Sequence, residues 1–529
     1  MGWFIPLLLV LLVLLGLYIW SNDRALRSIP KRALEVSPTR LTPEDVLVTA
    51  KRLSSSRPMS VDDQIPPKTG RRYIVIGGAG FLGGWIVIQL LKRGENPKNI
   101  RVLDIRPPSR MDLKEGKAKD VDFMKVDISD AQAVQKAFDA PWPSDASSIS
   151  PVTVFHTAAN IRFYERAIHF VPRSARVNIS GTQNILNSAR SIGVSTLVYT
   201  SSGSIGIFSS RYLLWPWQRE PEHFVHFIND EDSRLPKCHA DFFSNYAYTK
   251  MQAETLVRKA DRSSSGNGVL RTGCIRPGNG IFGPGGDMLC GAYLVRQTNP
   301  TWIGNIVSHY VYVENGALAH LLYERRLIDL EAPTSGTDGS KCPDIGGQAF
   351  TIADPGPPPT NGDVYTILAT LTDGETHFPS LSPTFMLLLA YLIEAYYITR
   401  EFILSFIPKI GTLIPPINGD LVNLQPSLWN LVMTHLIFDD SRARLPPEKG
   451  GLGYRGAWTT EEGLHKTVQE HYARADPSHR SGSAGVSFGF GLVRAQRGVG
   501  KVGDKVKRRT GVNPIEVLGS EAANGSPRK

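Results

Sequence analysis

The stretch Tyr73-Ile74-Val75-Ile76-Gly77-Gly78-Ala79-Gly80-Phe81-Leu82-Gly83 decides the reading of this chain. A short β-branched run enters a glycine cluster, and an apolar run with helical character, Trp85 to Lys92, leaves it. Gly77 permits a tight strand-to-helix turn, Gly80 lets the backbone approach a pyrophosphate, and Gly83 lets helix and strand pack closely. The helix that follows would point its unpaired N–H groups at the phosphates, with Phe81 and Leu82 on its first turn. A glycine-rich turn without a ligand is the bland alternative, and the flanking strand and helix argue against it.

Outward from this motif the same alternation continues. Ile100 to Leu103, Val121 to Val126, Val152 to Phe155 and Thr196 to Thr200 read as strands, and Ala131 to Phe138 and Ala175 to Ile192 as helices. The expected fold class is α/β, a doubly wound parallel sheet, over residues 71–330. The second strand ends in Asp104, placed to accept the hydroxyls of an adenosine ribose, which favours NAD. Arg106 two positions on could bind a 2′-phosphate, so NADP stays open. Asp127, followed by Ile128, ends the third strand and would reach an adenine edge.

A second constellation lies in Tyr246-Ala247-Tyr248-Thr249-Lys250, where four-residue spacing puts Tyr246 and Lys250 on one helix face. A neighbouring ammonium is expected to lower the phenol pKa and suit it to proton transfer with an alcohol. Upstream, the strand Thr196 to Thr200 runs into Ser201-Ser202-Gly203-Ser204, a source of a hydroxyl to polarise the reacting oxygen. Each signal alone is weak, and their combination with the glycine turn points to catalysis.

The rest of the chain bounds the setting. It has 529 residues, a formal net charge of +10 and four cysteines without metal-ligand spacing, read as free thiols in a reducing compartment. Basic residues cluster after the first apolar run and in the C-terminal tail, which suits a membrane surface and argues against nucleic acid. Trp3 to Trp20 carries no charge and reads as a transmembrane anchor within residues 1–20. A cleaved signal peptide is disfavoured, because no basic residue precedes the run. Arg24, Arg27, Lys31 and Arg32 follow it, so the body is expected on the cytoplasmic side. Residues 21–70 read as a linker with one short helix near Pro43 to Leu53. Residues 331–476 read as a smaller substrate-binding region whose apolar stretch, Thr384 to Ile407, would dip into the interface or line a pocket mouth. Residues 477–529 read as a disordered basic tail.

Taken in order, these residues resemble the 3β-hydroxysteroid dehydrogenase family of extended short-chain dehydrogenases, in particular its sterol-4α-carboxylate 3-dehydrogenases. The resemblance spans roughly Arg72 to Tyr472. It rests on Gly77 to Gly83, Phe155-His156-Thr157-Ala158-Ala159, Val177-Asn178-Ile179-Ser180-Gly181-Thr182, Tyr199-Thr200-Ser201-Ser202, Tyr246 to Lys250, and Arg276-Pro277 with Ile281-Phe282-Gly283-Pro284-Gly285. It implies a Rossmann-type fold with Tyr246 as acid/base, Lys250 as its partner and nicotinamide-ribose ligand, and Ser202 on the substrate oxygen. Gly77, Gly80, Phe81, Leu82, Gly83, Asp104, Asp127 and Ile128 would hold the dinucleotide, His156, Thr157 and Ala158 would flank it, and Pro277 would close over the nicotinamide. The implied activity is oxidation of a sterol 3β-hydroxyl with NAD, with or without loss of a C-4 carboxylate, in sterol biosynthesis at the endoplasmic reticulum, and a homodimer is left open. A ketone reductase of the dihydroflavonol type using NADPH and a non-catalytic dinucleotide-binding membrane scaffold are the alternatives. Three features depart from the family pattern, one being the basic tail after Pro477, which the resemblance does not cover. Ile76 stands where a Thr is usual, and Phe208 to Ser244, with Trp215 and Trp217, is a long insertion expected to cap the pocket.

Overall fold

The computed structural model of the chain describes residues 4–56, 60–143, 150–287, 289–331, 342–417 and 419–473. The expected tail, 477–529, lies outside the described residues.

The glycine turn sits at the centre of a parallel sheet. Strands β1 (Arg72–Ile76), β2 (Ile100–Asp104), β3 (Asp122–Lys125), β4 (Val152–His156), β5 (Thr196–Thr200), β6 (Gly268–Pro277) and β7 (Ala349–Ile352) lie in the order 3-2-1-4-5-6-7, every neighbouring pair parallel. Ser263–Ser265 adds an antiparallel hairpin strand on β6. Period-two alternation sends Tyr73 and Val75 into one apolar layer with Trp85, Ile86 and Leu90 of the Phe81–Lys92 helix and with the Val313–Asp329 helix. It sends Ile74 and Ile76 into the opposite layer with Val134, Ile185, Leu186, Ala253 and Val257. Both faces are therefore covered, which is why the strands read as continuous apolar runs.

Three expectations about organisation change. β7 comes from beyond residue 330, so the sheet draws its last strand from the region assigned to substrate binding. The insertion is not a detached cap: Val225–Ile228 pairs in parallel with His435–Phe438, joining it to the C-terminal part in a second apolar core around Phe224, Trp302, Trp429 and Leu436. Residues 21–56 are not a free linker either. The first helix runs Phe4–Leu26, Ser37 Oγ donates to the Pro358 carbonyl at 2.6 Å, and the Pro43–Ser55 helix, begun by a Thr42–Asp45 capping box, buries Val46 against the body. The buried polar and apolar partners at these points outweigh the linker-like composition.

The second apolar stretch forms one 24-residue helix, Pro383–Phe406. Its inner face buries Met386, Leu387, Ala390 and Ile393 in the second core, and the charges that interrupt it are spoken for: Arg166 grips Glu394 at 2.7 and 2.6 Å, and Arg173 meets Glu401 at 2.6 Å. Among the described residues, one helix, the N-terminal one, is long and apolar enough to cross a membrane.

Candidate active site

The carboxyl ends of the strands open onto a cavity of about 800 Å³. At one end lies the glycine turn. Gly77 has φ +80°, and a Cβ there would stand 2.6 Å from Thr157 Oγ1 and 2.9 Å from the Ala158 nitrogen. A Cβ on Gly83 would stand 2.3 Å from the Gly77 carbonyl oxygen. Only glycine fits at either position, so helix and strand touch backbone to backbone. The Phe81–Lys92 helix starts from Gly80 with no side chain capping it, which leaves its first N–H groups open toward the cavity.

Asp104 closes β2 over this turn, accepting from the Ala79 and Arg106 backbone N–H groups at 3.2 Å each, and burial raises its carboxyl above the ordinary value. Asp127, at the end of β3, is held below the usual carboxylate range by Ser129, whose backbone and hydroxyl both donate to it. Gly77, Gly80, Phe81, Leu82, Gly83, Asp104, Arg106, Asp127, Ile128, Thr157 and Ala158 all line the cavity, so the chain fits a dinucleotide along this edge. His156 is the exception. As the last residue of β4 it points into the core, fully buried, its Nε2 3.1 Å from Thr182 Oγ1, and burial pushes its pKa down to about 3. That corrects its placement beside a cofactor, and Thr157 and Ala158 take the position instead.

The second constellation converges on the same cavity. Ser244 starts the Asn245–Lys259 helix, accepting from the Ala247 N–H at 3.3 Å, and the helix runs past the end of β5. Tyr246, Lys250, Ser202 and Pro277 all line the cleft. Ser202 Oγ is 2.7 Å from Ser204 Oγ and faces the Tyr246 phenol across the cleft lining. The electrostatics differ from expectation. Burial holds the Tyr246 phenol above its ordinary value, with the Ser202 hydrogen bond pulling the other way. Lys250 donates from Nζ to the Thr200 carbonyl at 2.6 Å, above the Tyr199 ring, and burial pushes it down to about 7 against the opposing pull of Cys274 and Glu254. Low dielectric penalises both charged forms here, so the lysine by itself does not make the phenol acidic.

Sequence reasoning passed over two parts of the site. The first is a buried brace: Glu254, one turn beyond Lys250, accepts from Ser201 Oγ at 2.5 Å and from Arg276 Nε at 3.0 Å, tying together the residues that precede Ser202 and Pro277. Its signal was the Lys250-to-Glu254 spacing. The second is the far wall, Phe163, Phe243, Ile303, Ile306, Leu431 and Val432, gathered from dispersed segments with no local motif. Of the Phe208 to Ser244 insertion, Phe243 lines the cavity, whereas Trp215, Trp217 and the Pro383–Phe406 helix do not.

A parallel sheet of this order, a glycine turn, and a Ser-Tyr-Lys set in one cleft define a dinucleotide-dependent oxidoreductase of the extended short-chain dehydrogenase type. Comparison with known proteins narrows this. Residues 74–370 match the 3-beta hydroxysteroid dehydrogenase/isomerase family, and the chain belongs to that family. It is 29% identical over 440 residues to 3beta-hydroxysteroid-dehydrogenase/decarboxylase isoform 2 of Arabidopsis thaliana, an alignment covering 79% of this chain and 66% of that one. It is 31% identical over 298 residues to the decarboxylating sterol-4-alpha-carboxylate 3-dehydrogenase of Candida albicans, covering 54% and 70%. Among solved structures, an epimerase from Methanothermobacter thermautotrophicus shares the fold, with a TM-score of 0.50 and 17% identity over 79% of this chain and 97% of that one.

Proposed function

We propose that this protein oxidises the 3β-hydroxyl of a sterol to a ketone with NAD, and that its substrate carries a carboxylate at C-4. One observation carries the reading: Ser202, Tyr246 and Lys250 share a single cavity with the glycine turn at one end and an apolar wall at the other. Bound NAD supplies the acceptor for the hydride leaving C-3. Tyr246 takes the hydroxyl proton, Ser202 orients the same oxygen by hydrogen bonding, and Lys250 stabilises the phenolate when its ammonium faces it. A carboxylate at C-4 lies β to the new ketone. On loss of carbon dioxide its bonding electron pair passes to the ketone oxygen as an enolate, which Tyr246 can reprotonate, so no further catalytic group is needed. Asp104 favours NAD through the ribose hydroxyls.

The apolar first helix and its basic flank support a membrane setting. The Phe4–Leu26 helix would anchor the protein, and Arg24 in its last turn with Arg27, Lys31 and Arg32 after it supports a body on the cytoplasmic side. The endoplasmic reticulum membrane is the site proposed. Incubating the purified full chain with NAD and a panel of 3β-hydroxysterols, with and without a 4-carboxyl, tests the reading. NADH formation with carbon dioxide release from the carboxysterols alone is expected. Turnover limited to non-sterol ketones with NADPH would replace it by a reductase.

A further inference from the structure

We propose that the anchor and the body form one rigid unit, and that Trp215, Trp217 and the outer face of the Pro383–Phe406 helix rest in the headgroup region of the bilayer the anchor enters. This rests on the anchor reading above and goes beyond it.

The junction is built, not hinged. Tyr18 Oη donates to the Leu214 carbonyl at 3.0 Å. Asn22, 3% exposed, donates from Nδ2 to the Tyr212 carbonyl at 3.0 Å and to Thr384 Oγ1 at 2.8 Å, and accepts from the Leu214 N–H at 3.0 Å. Asp23 accepts from the Thr384 N–H at 2.9 Å, and Arg27 donates to the Leu381 carbonyl at 2.8 Å. Asn305 Nδ2 holds the Leu26 carbonyl at 3.0 Å, and the Leu26 side chain is fully buried in the second core. A helix pinned at Tyr18, Asn22, Asp23 and Leu26 over its last two and a half turns, with Arg27 held just past its end, cannot swivel freely on the body.

This junction fixes what meets the lipid. Leu214 bonds both Asn22 and, one turn toward the apolar end, Tyr18, so Trp215 leaves at the level where the anchor turns apolar. Trp215 and Trp217 are 55% and 75% exposed and stacked at 5.4 Å, 4° from parallel. Arg211 lies over Trp215 and Arg24 over Trp20, a ring-and-guanidinium arrangement suited to the phosphate level of a membrane. The Pro383–Phe406 helix starts at the same junction and turns Phe385, Leu392, Phe402 and Phe406 outward, each at least 59% exposed, while Glu394 and Glu401 are paired inward. Continuity with the anchor selects lipid, rather than a second copy of the chain, as the occupant.

The arrangement reaches the cavity. Tyr212, whose carbonyl Asn22 holds, places its hydroxyl 2.5 Å from Thr434 Oγ1, and Thr434 lines the cavity. Anchor, junction and cavity wall are thereby one continuous contact, which sets the height of the cavity above the leaflet.

The test uses the full chain in phosphatidylcholine vesicles containing a minority of phosphatidylserine, with brominated acyl chains as quenchers of tryptophan emission. Wild type, Trp20→Phe and the double variant Trp215→Phe/Trp217→Phe are compared. Loss of part of the quenchable emission in the double variant is expected, as is a loss in Asn22→Ala, which keeps both tryptophans but frees the junction. Quenching at Trp20 but an unchanged signal in the double variant overturns the proposal while leaving the anchor intact. Absence of quenching at Trp20 overturns the anchor reading itself. A detergent-stable dimer abolished by Trp215→Ser/Trp217→Ser, with no quenching of the pair, assigns the face to a second copy and overturns it too.

Discussion

Lys250 Nζ donates to the Thr200 carbonyl at 2.6 Å, so the ammonium is tied to the last residue of β5, directly before Ser201 and Ser202. The same contact that orders the cleft keeps the lysine away from water, and burial brings its pKa to about 7. An unfolded lysine holds its proton to about 10.4. Between these values the unfolded chain binds more protons than the native one, so stability rises with pH across that window. Wild type should therefore gain on the order of 2 kcal/mol relative to Lys250→Met between pH 7 and 9. Denaturation of the cofactor-free protein in detergent at several pH values measures this, and a pH-independent difference would contradict it.

Tyr246→Phe should lower kcat by roughly 10²- to 10⁴-fold, the usual contribution of a positioned acid/base. The ring lines the cleft and packs against the second core, and phenylalanine keeps that packing, so the affinity for dinucleotide should stay within a factor of a few. Titration of cofactor binding beside steady-state rates separates the two.

Glu254 and Arg276 are both fully buried, and Glu254 also holds Ser201. Glu254→Gln removes the charge opposite a buried guanidinium, at a cost of about 3 kcal/mol, because Asp232 remains as a second partner of Arg276. A lowered thermal midpoint together with a lowered kcat is expected, since Ser202 and Pro277 follow the two tied residues.

Asp104→Ala should raise KM for NAD about tenfold or more, from the loss of charge-assisted hydrogen bonds to the ribose. KM for NADP should change little or fall, because Arg106 stays beside the vacated position. Ratios of kcat/KM for the two cofactors read this directly.

How much of this was visible in the residues varies with the length scale of the signal. The glycine turn, β1 to β5 and the Tyr246-Lys250 spacing are local patterns, and Thr196–Thr200 is observed as read. His156 was misplaced because a strand end sends alternate side chains to opposite faces, and a motif does not say which. The segment before residue 70 reads as linker by composition, yet Asn22, Ser37 and Val46 fasten it through partners far away in the sequence, Thr384 and Pro358 among them. The far wall of the cavity and the pairing of the insertion with His435–Phe438 are likewise long-range, and no window of sequence displays them.

Transfer of label from a 3α-deuterated 4-carboxysterol to NAD, followed by mass spectrometry in a single turnover, tests the central claim most directly. Deuterium should appear on the reduced cofactor with wild type, and at least about a hundredfold more slowly with Tyr246→Phe. Equal rates in the two proteins, or reduced cofactor without deuterium, would contradict the account.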